Sequence, residues 1–264
     1  MEIKKLAFWR AVLAEFLATL IFLFVNCGVT LTWNTSPSIT QIALCFGLSI
    51  AVLAQIFGPT SGANINPAVS IGLFVSRRIS AIRMIFYMVV QCAGAITGAA
   101  VCYAISPESK RGLLGTVFLG PGVTRYQGFA LEGVLTFLLV MTVLAATDQD
   151  REDKTFGPAL SIGLSVTVCH LIGIPYTGCG INPARALGPA VVMKIWPNYH
   201  WIYWAGPAVG AILAGGLYKC IFEGERSDKN SLDLTGLDYI VENSLSLAKE
   251  RGNSGVLRAA TTGL

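Results

Sequence analysis

Two short runs of this sequence combine groups that could do chemistry with groups that shape backbone. Gly-Ala-Asn-Ile-Asn-Pro-Ala spans residues 62–68, and Gly-Cys-Gly-Ile-Asn-Pro-Ala-Arg spans 178–185. Asparagine suits a helix N-cap, where its side-chain oxygen accepts a backbone N–H, and proline suits the first helical position. Asn66 and Asn182 therefore read as caps, with Pro67-Ala68 and Pro183-Ala184 opening two short helices. A helix N-terminus carries roughly half a positive charge, and each asparagine amide adds N–H donors to it. Only the second run carries an arginine, Arg185. Glu15 and Glu132, the two carboxylates within apolar runs, and His170 are further polar groups set in apolar surroundings. No nucleophile–base pair, metal-ligand cluster or phosphate loop is legible. We therefore expect no enzyme activity, no metal or cofactor and no nucleic-acid partner.

The elements that must position these groups are membrane spans. The chain of 264 residues is 53% hydrophobic and 13% charged, where an ordinary soluble domain carries about 25% charged residues. Apolar runs of the roughly 20 residues needed to cross a bilayer cover about 8–33, 39–57, 83–105, 126–147, 157–175 and 200–222. An even count puts both termini on one side. With the termini cytoplasmic, the inner side holds Lys4, Lys5, Arg10, Arg77, Arg78, Arg83, Arg151, Lys154 and the basic tail. The outer side then holds Lys110, Arg111, Arg125, Arg185 and Lys194, so the excess of basic residues favours this orientation. Trp33, Trp196, Tyr199, Trp201, Tyr203 and Trp204 cluster at outer span edges. Asn34-Thr35-Ser36 is a glycosylation sequon in an outer loop, very close to span 1. Residues 1–222 read as the membrane domain and 223–264 as a polar cytoplasmic tail. Six of the seven cysteines lie in apolar runs, where cysteine behaves as a small hydrophobe, and Cys179 is the exception.

The chain also repeats itself. Residues 47–68 align without gaps to 163–184 at an offset of 116, with eleven of 22 positions identical, and Glu15 corresponds to Glu132. Each copy, about 8–105 and 126–222, holds three spans and one Asn-Pro-Ala segment. Three is odd, so the second copy enters the membrane inverted, with a pseudo-two-fold axis in the membrane plane. The apolar run after each Asn-Pro-Ala is half a span long. Each therefore reads as a half-helix starting at mid-membrane, reached by a re-entrant loop. Such loops are tolerated only when buried in protein or lining a water-filled cavity. Two helix N-termini facing each other there would orient water outward and disfavour cations. The expected fold is an all-α membrane protein of six transmembrane helices and two re-entrant half-helices in an inverted repeat.

With both motifs in place, the sequence resembles the aquaporin (major intrinsic protein) family over nearly all of residues 1–222. It is most similar to the orthodox water-selective members of the red-cell type, aquaporin one. The start, Lys-Lys-Leu-Ala-Phe-Trp-Arg-Ala-Val-Leu-Ala-Glu-Phe-Leu-Ala-Thr at 4–19, adds to the match. The resemblance implies a homotetramer with one pore per subunit and passive osmotic water flow through a plasma-membrane protein.

The mismatches between halves locate the filter. Across the offset, Ala54 becomes His170, Ala63 becomes Cys179 and Val69 becomes Arg185, while Phe46 faces Ile162. All four residues can share one level near the outer boundary. They match the family's aromatic/arginine constriction, with Arg185 repelling cations, His170 supplying a donor, and Phe46 and Cys179 lining the walls. Phe46 alone would read as core, and its pore role rests on the resemblance. The position of Cys179 implies sensitivity to mercurials. Glu15 and Glu132 read as acceptors for unpaired N–H groups of the re-entrant loops, with a proton or ion path as the alternative. Glycerol-conducting relatives usually have a small residue at the His170 position and an aspartate after Asn-Pro-Ala-Arg, where this chain has Ala186. That favours water over a glycerol facilitator. A secondary transporter would share the inverted repeat but should show a coupling-ion site.

Overall fold

The computed structural model describes residues 2–149 and 156–223. The tail expected over 223–264 lies outside them except for Glu223, as do Arg151 and Lys154. Eight α-helices are present among the described residues: α1 (Leu6–Val29), α2 (Ile39–Ser61), α3 (Pro67–Val75), α4 (Ala81–Ile105), α5 (Arg125–Ala146), α6 (Pro158–Thr177), α7 (Pro183–Met193) and α8 (Ile202–Leu217). A π-helical turn, Tyr218–Phe222, continues α8. All but α3 and α7 are long and apolar enough to cross a membrane. Their outward faces carry Leu13, Leu48, Val52, Ile56, Ile85, Val89, Val134 and Leu213, each more than half exposed. Facing water, so much apolar area would mark a binding surface or an aggregation liability. Facing acyl chains it is the expected surface.

The helix ends follow local chemistry. Ser38 and Ser80 cap α2 and α4 through their side-chain oxygens, and Thr124 with Gln127 forms a capping box at α5. Both re-entrant spans run further than the apolar runs indicate. α2 continues through Pro59 to Ser61 and α6 through Pro175 to Thr177. Each then stops at a glycine in the left-handed region, Gly62 (φ 92°) and Gly178 (φ 74°), a conformation open to glycine at no steric cost. Gly58, in the last turns of α2, has open space where a Cβ would stand. In the other direction, α3 ends at Val75, two residues short of Arg77. The Ser76 hydroxyl bonds Leu73 O, and Arg77 turns left-handed at φ 61°.

Packing repeats the internal symmetry. α1 lies on α4 as α5 lies on α8, and each half-helix packs on the last span of the other repeat, α3 on α8 and α7 on α4. The two repeats also cross at α2 and α6, where the backbones nearly touch. A Cβ on Gly47 would stand 2.4 Å from Gly163 O, and one on Gly163 would stand 2.5 Å from Gly47 O. Positions 47 and 163 are related by the offset of 116, so the symmetry axis passes through this contact.

Candidate functional site

Both asparagines cap their half-helices. Asn66 Oδ1 accepts from Ala68 N (2.8 Å), and Asn182 Oδ1 accepts from Ala184 N (3.0 Å) and Arg185 N (3.3 Å). With the oxygen engaged in the cap, each amide nitrogen must point the other way. Asn66 Nδ2 donates to Ile181 O (2.9 Å) and Asn182 Nδ2 to Ile65 O (3.0 Å). The two re-entrant loops are thus stitched together by a reciprocal pair of bonds, each asparagine holding the other loop's carbonyl. One N–H of each amide is used in the stitch, and the second is left for another acceptor. α3 has nine residues and α7 eleven, about 14 and 17 Å at 1.5 Å per residue. Each spans about half of a ~30 Å hydrocarbon core, so the stitch lies near its middle.

The loops need external acceptors because their backbones are not helical. Ala63, Ile65, Cys179 and Ile181 all have positive φ, from 45° to 56°, at a cost of about 1–2 kcal/mol for each such residue. Glu15 and Glu132 hold them in place. Glu15 accepts from Ser61 Oγ (2.7 Å), Asn64 N (2.9 Å), Ile65 N (2.8 Å) and Gln91 Nε2 (2.8 Å). Glu132 accepts from Thr177 Oγ1 (2.6 Å), Gly180 N (2.8 Å) and Ile181 N (2.5 Å). Both carboxylates are fully buried, where an unmatched charge would be costly and a ring of N–H and O–H donors offsets that cost.

Phe46, His170 and Arg185 come together at the end of the bundle opposite the start of α1. The Phe46 and His170 ring centroids are 4.1 Å apart, and Arg185 Cζ lies 4.9 Å from the Phe46 ring. Phe22 on α1 backs Phe46 edge-on at 5.8 Å. Cys179 Sγ turns toward Cys169 O at 3.4 Å. Arg185 Nη1 donates to Gly115 O at 2.7 Å. His170 Nδ1 bonds the Val166 carbonyl at 2.9 Å. A carbonyl only accepts, so Nδ1 carries the proton and Nε2 of the neutral ring is an acceptor. His170 therefore presents an acceptor where the sequence led us to expect a donor. Among the described residues, neither Nε2 of His170 nor Nε of Arg185, both buried, has a hydrogen-bond partner. An acceptor and a donor side by side match a small molecule that both donates and accepts. Asn34 stands exposed in the 30–38 connection at this same end.

Sequence reading missed several supporting residues. Ser61 and Thr177 occupy equivalent positions in the aligned repeat, and Tyr87 and Tyr203 are related by the same offset of 116. Tyr87 Oη donates to Ser61 O (2.8 Å) and Tyr203 Oη to Thr177 O (2.7 Å), bracing both loop entrances. Extending the offset beyond the best-matched stretch would have found the tyrosines. Gln91 and Gly115 have no such signal, because neither has a partner of like type in the other half.

Comparison with known proteins identifies the family and the fold. Residues 2–218 match the sequence profile of the family described as "Major intrinsic protein". Human aquaporin-5 is 50% identical over 218 residues, covering 82% of each chain. Mouse aquaporin-4 is 48% identical over 221 residues, covering 82% of this chain and 68% of its own. These relatives are of the aquaporin-5 and aquaporin-4 types rather than the red-cell type that the motifs brought to mind. Among solved structures, the aquaglyceroporin from Plasmodium falciparum superposes with a TM-score of 0.75 at 25% identity, covering 81% of this chain and 97% of its own. The chain belongs to the major intrinsic protein, or aquaporin, family.

Proposed function

We propose that this protein is a water-selective pore in which Phe46, His170, Cys179 and Arg185 form the filter and the asparagine stitch forms the central station. Family membership makes it a passive membrane channel rather than an enzyme. The observation that carries water selectivity is the filling of the filter level. Phe46 packs against both His170 and Arg185 there, a crowding that favours a permeant as small as water. The buried acceptor and donor on His170 and Arg185 suit such a molecule. At the stitch, the free N–H of each asparagine and the two half-helix N-termini favour a water oxygen and oppose a cation. The carboxylates serve the loops and conduct nothing, since their oxygens are occupied by loop donors.

The oligomer that fits the exposed apolar flanks is a homotetramer with one pore in each subunit. The basic residues of the termini and of the 76–83 turn favour a cytoplasmic face there, in the plasma membrane, with Asn34 outside and open to glycosylation. Stopped-flow light scattering on proteoliposomes tests the function. Osmotic water flow well above that of empty liposomes is expected, with glycerol uptake at background. His170→Gly should admit glycerol. Water flow no faster than in empty liposomes would overturn the channel, and rapid glycerol uptake by the wild type would make it a glycerol facilitator.

A further inference from the structure

The filter arginine is held by a residue in a connecting loop, and that loop is itself fixed by the end of α1. Arg185 Nη1 donates to Gly115 O, and Arg185 Nε has no protein partner. The guanidinium is therefore placed by one carbonyl on one side and the Phe46 ring on the other. Gly115 is at φ +73°, and a Cβ there would stand 3.0 Å from Thr30 Oγ1 and 3.1 Å from Thr30 Cγ2. Thr30 cannot readily turn aside. It is the C-cap of α1, and its hydroxyl donates to Cys27 O at 2.7 Å. The loop on either side is equally constrained. Thr32 N bonds Lys110 O (3.1 Å) and Lys110 Nζ bonds Trp33 O (2.6 Å), while Leu114 is fully buried and Thr116 folds back onto Leu113 O.

We propose that Gly115, seated against Thr30, is the positioning residue that sets how far Arg185 reaches into the pore, and so determines solute exclusion. This rests on the filter assigned above. A side chain at 115 must push the loop off Thr30 and withdraw the carbonyl from Arg185. The arginine then loses its one fixed acceptor and swings, and the filter widens. Water already fits, so the change falls on larger solutes.

The full-length chain in proteoliposomes provides the test, read as the ratio of glycerol to water permeability. Gly115→Ala should raise that ratio about tenfold, the effect expected when a charged donor loses its hydrogen-bond acceptor. Thr30→Ala in the same chain leaves only Thr30 Cβ, at 3.6 Å from the new methyl, and should return the ratio part of the way to wild type, the φ of +73° keeping some strain in the loop. Thr30→Ile keeps the glycine and the loop's own sequence, crowds the loop from the α1 side and should raise the ratio, which covers the case of a misfolded Gly115→Ala. Thr30→Val keeps the shape without the hydroxyl and should leave the ratio near wild type. An unchanged ratio in both Gly115→Ala and Thr30→Ile, or equal loss of water and glycerol flow in both, would overturn the proposal. So would a double variant as leaky as Gly115→Ala alone. Arg185→Val separates the two levels. If it too leaves the ratio unchanged, the filter assignment fails rather than the role of Gly115.

Discussion

The two loop-holding carboxylates are alike in role but not in surroundings, and the same substitution should therefore affect them unequally. In Glu132→Gln, the retained oxygen can still accept from Thr177 Oγ1 and Gly180 N, while the new amide faces Ile181 N, the described partner of Glu132 Oε2. A backbone N–H loses its acceptor and an NH2 group is left opposite it. In Glu15→Gln, Ile65 N is orphaned in the same way, but Gln91 stands beside the new amide. Among the described residues Gln91 Oε1 is buried without a partner, so a flip of the Gln91 amide supplies the acceptor and gives up only its longer, 3.2 Å donation to Ser70 Oγ. The difference between the variants is one unsatisfied buried donor group, about 1–3 kcal/mol. For a chain of this size that is roughly 2–12 °C in Tm, at about 2–4 °C per kcal/mol. Thermal unfolding of both variants in one detergent, followed by circular dichroism, should show Glu132→Gln melting below Glu15→Gln. Water permeability should fall in the same order, because Ile181 O is the acceptor for Asn66. Equal melting temperatures, or the reverse order, would refute the reasoning. A Glu15→Gln/Gln91→Leu variant should erase the difference.

Three further outcomes follow from single contacts. Cys179→Ser should keep water permeability near wild type and abolish inhibition by mercurials; persistent inhibition would place the reactive thiol elsewhere. Gly47→Ala puts a methyl 1.8 Å from Thr167 Oγ1 and 2.4 Å from Gly163 O and should cost about 1–3 kcal/mol by overpacking, read as a lower Tm, whereas Gly216→Ala, with open space around it, should be neutral. His200 lies in the turn before α8, with both ring nitrogens buried and unpartnered, and burial lowers its pKa below 6.5. Because the folded value lies below the unfolded one, its contribution is present above pH 6.5 and is lost as pH falls from there toward the folded value. His200→Phe should therefore flatten the loss of thermal stability between pH 7 and pH 5, and an unchanged slope would exclude His200 as its source.

Much of this architecture is legible in the sequence because membranes limit the alternatives. A backbone in hydrocarbon must bond to itself, so apolar runs of span length become helices. Their number, the inverted duplication and the capped half-helices then follow from hydropathy, one offset and the Asn-Pro pair. Residues recurring at the offset, such as Asn66 with Asn182, or one residue from it, as Glu15 with Glu132, could be matched without coordinates. Those present in only one half, such as His170 and Arg185, could be noticed as departures. Direction, by contrast, is fixed only once the segments meet. Which nitrogen of His170 carries the proton depends on the Val166 carbonyl one turn back. The donation of each asparagine to the opposite loop depends on two half-helices meeting end to end. Gly115 is the clearest case, since nothing in its sequence neighbourhood connects it with Arg185, 70 residues away. Periodicity and composition report which face of an element is buried. The aim of a single carbonyl is set by contacts among segments that the chain brings together only when it folds.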